Sequence, residues 1–308
     1  MSSSSQGDNG PVLRSVLAAG ELPPRREVPT TRQPVVGLGE YELKYSLAEP
    51  VVSAFLDAVA GRLHAQVYDV SHPVAYARTT YLDTDDCVYL GSSGEPISRR
   101  VRIRQYAAAV DAAAPPQLTG QSFVEYKQSS AGQRRKIRLP IDDDEVSALL
   151  SGGTLSVAGR RALAEEGGLE ALRSELTRQP LTPQLTTWYQ RRSLLDEPAQ
   201  IRVTVDTEIG FYRPIEVGGH KQARPLGPAL GRMSDCMLEI KYRGRAPRWL
   251  TDALSILGEP PEKRLSKYLM GMQAIGRAAA PEDEPATAAT TEAESASATP
   301  HRCRSVGG

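Results

Sequence analysis

Six short stretches of this chain alternate apolar and charged residues at a period of two: Glu40 to Lys44, Arg100 to Arg104, Glu125 to Lys127, Arg134 to Leu139, Arg202 to Asp206 and Leu238 to Lys241. That period is a strand's, with successive side chains on opposite faces. One face collects Tyr41, Leu43, Tyr45, Val101, Ile103, Val124, Tyr126, Ile137, Leu139, Ile201, Val203, Val205, Leu238 and Ile240. The other collects Glu40, Glu42, Lys44, Arg100, Arg102, Arg104, Glu125, Lys127, Lys136, Arg138, Arg202, Asp206, Glu239 and Lys241. The recurrence of the same ionic types suggests that the charged faces converge on one enclosed space. So many cations in an interior require an anionic guest to neutralise them, such as polyphosphate or a nucleoside triphosphate.

The rest of the pattern supplies the frame. Strands are expected near 39–46, 75–83, 98–106, 121–128, 133–140, 184–194, 199–213 and 234–242. Val52, Phe55, Leu56, Val59 and Leu63 mark one face of a helix over 49–63, with Pro50 suited to its first turn. Further helical segments are expected near 142–150, 156–177, from Pro247, and over 264–276. Hairpin-linked strands with helices at the edges predict an α+β fold with an antiparallel sheet. Amphipathic helices need an apolar sheet face to cover, so they are expected outside. The charged face then lines a hydrophilic tunnel inside a curled, barrel-like sheet. Residues 1–37 read as disordered, 38–277 as one domain and 278–308 as a low-complexity acidic tail.

Charge balance narrows the function. Lys and Arg number 37, as do Asp and Glu, so no global basic footprint points to nucleic acid. The basic residues interleave with aliphatics rather than with stacking aromatics, which argues against an RNA-binding module. Cys87, Cys236 and Cys303 form no CxxC motif and fit reduced thiols better than a disulfide framework. The Ser-rich start lacks a signal-peptide pattern and no stretch is apolar enough for a membrane helix, so a cytoplasmic location is expected. Asp83 to Asp86 reads as a turn ending a strand, Asp142 to Glu145 as a helix N-terminus, and Arg134 to Lys136 as a tunnel strand or rim. Arg202 and Asp206 could pair with each other.

Glu40-x-Glu42-x-Lys44 resembles the ExExK signature of the triphosphate tunnel metalloenzymes. The remaining pieces are similar to the VTC domain, the polymerase domain of vacuolar transporter chaperones. They are Leu43-Lys44-Tyr45, Tyr81-Leu82-Asp83-Thr84, Val101 to Tyr106, Val124 to Lys127, Tyr189 to Ser193, Arg202 to Asp206, Met237 to Tyr242 and Arg264 to Tyr268, in that order. The resemblance implies that Lys44, Arg102, Arg104, Lys127 and Arg191 grip phosphoryl oxygens in catalysis. Lys136, Arg138, Arg202, Lys241, Arg264 and Lys267 are further phosphate-binding candidates. Glu239, with Glu42 and Glu40, is the expected ligand set for Mn²⁺ or Mg²⁺. The family usually carries Lys where Arg264 stands, which keeps the charge but changes the geometry.

The implied activity is a polyphosphate polymerase that moves the γ-phosphoryl group of ATP onto inorganic polyphosphate. Two alternatives stay open. One is a triphosphatase, since the paired Glu40 and Glu42 are nearer the wider superfamily, where that pair binds metal. The other is a non-catalytic polyphosphate-binding module. A membrane-protein partner encoded elsewhere is compatible with the reading.

Overall fold

The computed structural model describes residues 40–91, 97–130, 133–152, 154–156, 159–161, 169–215, 227–258, 260–262 and 265–278. Both terminal segments, part of the 156–177 stretch and Arg264 lie outside them.

Ten strands form one sheet: β1 (Glu40–Leu47), β2 (His64–Ala65), β3 (Val74–Asp83), β4 (Ile97–Ala109), β5 (Gln117–Ser130), β6 (Gln133–Ile141), β7 (Thr182–Asp196), β8 (Ile201–Tyr212), β9 (Ala229–Arg232) and β10 (Cys236–Arg243). The spatial order is β1-β10-β8-β7-β3-β4-β5-β6, with β2 beside β7 and β9 beside β8. Every pairing is antiparallel. The two edge strands of that path, β1 and β6, face each other through an ion pair between Arg134 and Glu42. The sheet therefore curls almost to a barrel, and side chains bridge its seam.

The helices are α1 (Glu49–Val59), α2 (Val88–Gly91), α3 (Asp143–Gly152), α4 (Glu170–Arg178), α5 (Arg248–Leu254) and α6 (Lys267–Ala278). The helix expected over 49–63 stops at Val59, with Pro50 in its first turn, and Leu63 is buried just beyond it. Asp142 caps α3 by accepting the Glu145 backbone N–H at 2.9 Å.

Apolar faces settle on two outer cores. Val101, Ile103, Val124, Tyr126, Ile137 and Leu139 pack under α3 and α4 through Val146, Leu149, Leu172 and Leu176. Tyr45, Ile201, Val203, Val205, Leu238 and Ile240 pack under α1 and α5 through Val52, Phe55, Val59, Leu250 and Ala253.

The helices flank the sheet, and α6, which carries Lys267, does so at one end of the bore. It packs on the inner face through Tyr268, against Tyr81, Leu185, Phe211 and Met237. At that end the inner rows carry apolar side chains, so an amphipathic helix can enter the curl and cover them. A Cβ on Gly271 of α6 would fall 2.3 Å from Leu185 Cδ2, so the missing side chain is what permits this approach. Tyr268 stacks on Tyr81 with ring centroids 4.7 Å apart and donates its hydroxyl to Asp83 at 2.7 Å. Asp83 also accepts the backbone N–H groups of Thr84, Tyr89 and Leu90. It thus terminates β3, starts α2 and anchors the helix that covers one end of the bore.

Candidate functional site in the bore of the sheet

Register fixes which side chains point inward. Glu42 faces Lys241 and Lys44 faces Glu239 across β1 and β10. Lys241 faces Arg202, and Arg191 faces Asp206. Thr79 faces Arg104, Arg102 faces Glu125, and Glu125 faces Arg138. Lys127 sits opposite Arg100 on one side and Lys136 on the other. A bulge between Trp188 and Gln190, with Glu208 in the left-handed region at φ 52°, bends β7 and β8 where Tyr189 and Arg191 enter the bore.

Three acidic centres organise the cations. Glu125 is 0% exposed. It receives Arg102 Nε and Nη2 at 2.8 and 2.6 Å, Arg138 Nε at 2.7 Å and Lys136 Nζ at 3.0 Å. Burial pushes its pKa up, but Arg102, Lys136 and Arg138 outweigh that and hold it well below the usual range. Asp206 receives a fork from Arg191, Nε and Nη2 both at 2.6 Å, and Lys267 Nζ at 2.6 Å. Here too burial opposes ionisation, yet Arg191 and Lys267 bring the pKa down to about 2. Asp206 is thereby paired with Arg191 and Lys267, not with Arg202 as the sequence suggested.

The third centre is Glu42 with Glu239. Lys241 Nζ lies 3.1 Å from Glu42 and 3.3 Å from Glu239, so the two carboxylates share one ammonium. Lys44 adds a contact to Glu42 at 3.4 Å. Glu239 is held well below its ordinary pKa: burial raises it, but Lys241, Lys44, Lys127 and Arg191 prevail. Glu42 also pairs with Arg134 of β6, so the inner faces converge across strands that are not neighbours in the sheet. Glu40 is more than half exposed and pairs only loosely with Arg243, at 4.0 Å, one step outside the pair.

Lys127 and Arg104, both within the bore, are left without full satisfaction among the described residues. Lys127 Nζ makes no hydrogen bond or ion pair. Arg102 above all, and then burial, push its pKa well below the ordinary ammonium value. Arg104 donates Nη1 to Thr79 at 2.9 Å and to the Tyr189 hydroxyl, while its buried Nε has no partner. Tyr189 gathers Arg104, Arg191 and Lys267 over its ring at 5.3, 5.3 and 4.5 Å. The bore thus brings together Lys44, Arg102, Arg104, Lys127, Lys136, Arg138, Arg191, Lys241, Lys267, Glu42 and Glu239. Arg202 lies on the same inward row of β8 but is exposed at the rim. Sequence reasoning missed Glu125 and Tyr189 as organisers of the site.

For a divalent ion, Glu42 and Glu239 supply hard carboxylate oxygens on adjacent strands, and no group of three or more acids, histidines or cysteines with metal-binding geometry occurs among the described residues. Two carboxylates suit a hard divalent ion when further oxygen ligands complete the shell.

A curled antiparallel sheet around an ionic bore defines a triphosphate tunnel fold. The chain belongs to the VTC domain family, whose model matches residues 40–275. Three solved structures resemble it in fold. A Pyrococcus horikoshii protein is 15% identical, with 76% of this chain and 99% of that one covered and a TM-score of 0.38. A candidate adenylate cyclase of Bacillus halodurans is 14% identical, with 76% and 98% covered and a TM-score of 0.44. Another from Vibrio parahaemolyticus is 12% identical, with 76% and 98% covered and a TM-score of 0.37. No curated protein matches. No helix among the described residues is long and apolar enough to cross a membrane.

Proposed function

We propose that the domain is a metal-dependent polyphosphate polymerase, transferring the γ-phosphoryl group of ATP to the end of a polyphosphate chain. The observation that carries the reading is the unsatisfied Lys127 ammonium and Arg104 Nε inside a bore already crowded with cations. A buried N–H without a partner, and an ammonium repelled by its neighbours, are both relieved by phosphate oxygens.

Phosphoryl transfer is governed by positioning and charge neutralisation. Arg102 and Arg104 on β4, Lys127 on β5, Arg191 on β7 and Lys44 on β1 converge on the phosphates from several walls. Lys136, Arg138, Lys241 and Lys267 extend the same field along the bore. Glu125 and Asp206 fix the forks of Arg102, Arg138 and Arg191, so that these side chains are ordered before substrate arrives. Glu239 and Glu42 would hold Mn²⁺ or Mg²⁺, which would supply positive charge against the phosphate oxygens. In the reaction the bond between the γ-phosphorus and the β–γ bridging oxygen breaks. A terminal oxygen of the polyphosphate bonds to that phosphorus, and ADP leaves.

The second reading, hydrolysis of a triphosphate by water, is favoured by Glu42 lying beside Glu239 on a shared lysine. Incubation of the purified protein with ATP and Mn²⁺ decides between them. Long polyphosphate with ADP supports the polymerase, and free phosphate without polymer supports the hydrolase. Tight polyphosphate binding with neither product supports a binding module.

A further inference from the structure

The bore is asymmetric along its length. On the α6 side the inner rows end in Met237, Phe211, Leu185 and Tyr81, covered by the helix. On the other side the inward row of β8 continues from Asp206 through Thr204 to Arg202, which is in register with Lys241. Four residues of strand put Arg202 ~13 Å from Asp206 along the chain.

At that rim Arg202 Nη2 donates to the hydroxyl of Tyr68 at 3.0 Å, and the hydroxyl donates to Gln66 Oε1 at 2.9 Å. Tyr68 belongs to the loop between β2 and β3, and it is 62% exposed. Its hydroxyl is thus fixed at two points, although much of its surface meets solvent. The loop is braced next to it: Asp69 accepts the Ser71 backbone N–H at 2.9 Å and pairs with His72 at 3.1 Å. Val67 and Val70 beside it are exposed as well. An aromatic ring fixed at its hydroxyl beside a guanidinium, at the end of a cationic bore, is a surface suited to a flat π system attached to a phosphate chain.

We propose that Tyr68, held by Arg202 at the rim, is the stacking platform for the nucleobase of a nucleoside triphosphate whose phosphates lie among Arg191, Arg104 and Lys127. This rests on the phosphate-binding reading of the bore and adds the nucleoside subsite to it. Triphosphate goes in first, toward the α6 side, and the base stays at the rim. Stacking on an aromatic face is tolerant of base identity, so ATP and GTP bind alike.

The test is calorimetric titration of the full chain with ATP, GTP and inorganic tripolyphosphate, each with Mg²⁺. Base stacking contributes ~1–3 kcal/mol, so Tyr68→Ala is expected to weaken ATP and GTP by roughly 5- to 150-fold. Tripolyphosphate affinity is expected to stay as in the unmodified protein, and Tyr68→Trp to retain nucleotide affinity. Unchanged ATP affinity in Tyr68→Ala overturns the proposal. An equal loss for tripolyphosphate also overturns it, because Tyr68 would then act by shaping the bore. If the unmodified protein binds neither ATP nor tripolyphosphate, the phosphate-binding reading itself fails and the subsite falls with it.

Discussion

Replacing Asp206 with Asn removes the charge that joins β7, β8 and α6. Its carboxylate holds the Arg191 fork and the Lys267 ammonium, each at 2.6 Å, in a site that is nearly solvent-free. Folding lowers its pKa from 3.8 to about 2. A depressed carboxylate pKa stabilises the fold above the unfolded-state value, and the contribution is lost as pH falls through the folded value. The shift corresponds to about 2 kcal/mol at neutral pH and roughly half that at pH 3. Asn also leaves two buried cations without their counter-charge, and breaking a buried pair from one side costs ~3–5 kcal/mol in total. Urea denaturation in dilute, phosphate-free buffer at pH 7 and pH 3 measures both. The expected outcome is a less stable variant whose deficit narrows by about 1 kcal/mol on acidification. A deficit below ~1 kcal/mol at pH 7, or one that does not narrow at pH 3, would refute the reasoning.

Gly271→Ala should destabilise the domain by ~1–3 kcal/mol despite alanine's better helix propensity, because the new methyl meets Leu185 and Phe211; thermal melting checks this, and an unchanged midpoint would mean that α6 is not seated as described. Glu239→Gln should abolish metal-dependent turnover of ATP while tripolyphosphate binding persists, and equal turnover in the variant removes Glu239 from the mechanism. Glu125→Gln leaves Arg102, Arg138 and Lys136 mutually repelling, so it should lower stability by ~3–5 kcal/mol in anion-free buffer. Added tripolyphosphate should restore more stability to this variant than to the unmodified protein, as a ligand at ~100 times its Kd contributes ~2.7 kcal/mol by linkage alone. Equal rescue in both would detach Glu125 from the phosphate site.

The parts of the bore that could be read from sequence are those where charge alternates with aliphatics. In β1, β4, β5, β6, β8 and β10 the inward row is ionic and the outward row apolar, so the period exposes both faces at once. In β3 and β7 the inward rows include Ala77, Thr79, Tyr81, Leu185 and Thr187, which no charge pattern marks as bore residues. The same absence hid the seat of α6, because an apolar inward patch near one end looks in sequence like another outward core face. The strands β2 and β9 and the helix α2 span two to four residues each, too few for a period to register.

Pairing inside the bore was harder to read than placement. Arg202 and Asp206 share a face of β8, which makes them look like partners. However, four residues of strand separate their Cα atoms by ~13 Å, whereas a cross-strand neighbour stands ~4.5–5.5 Å away. Arg191 is that neighbour, and Lys267 arrives from a helix whose inward seat gives no sequence signal. The same geometry makes Glu125 the hub of its cluster: Arg102 on β4 and Arg138 on β6 stand directly opposite it on either side. A carboxylate flanked in this way is fully occupied by its own protein. Lys127, one inward step along β5, faces Arg100 and Lys136 instead of an acid. The difference between those adjacent inward positions separates the cations that the fold neutralises itself from an ammonium that it leaves among other cations.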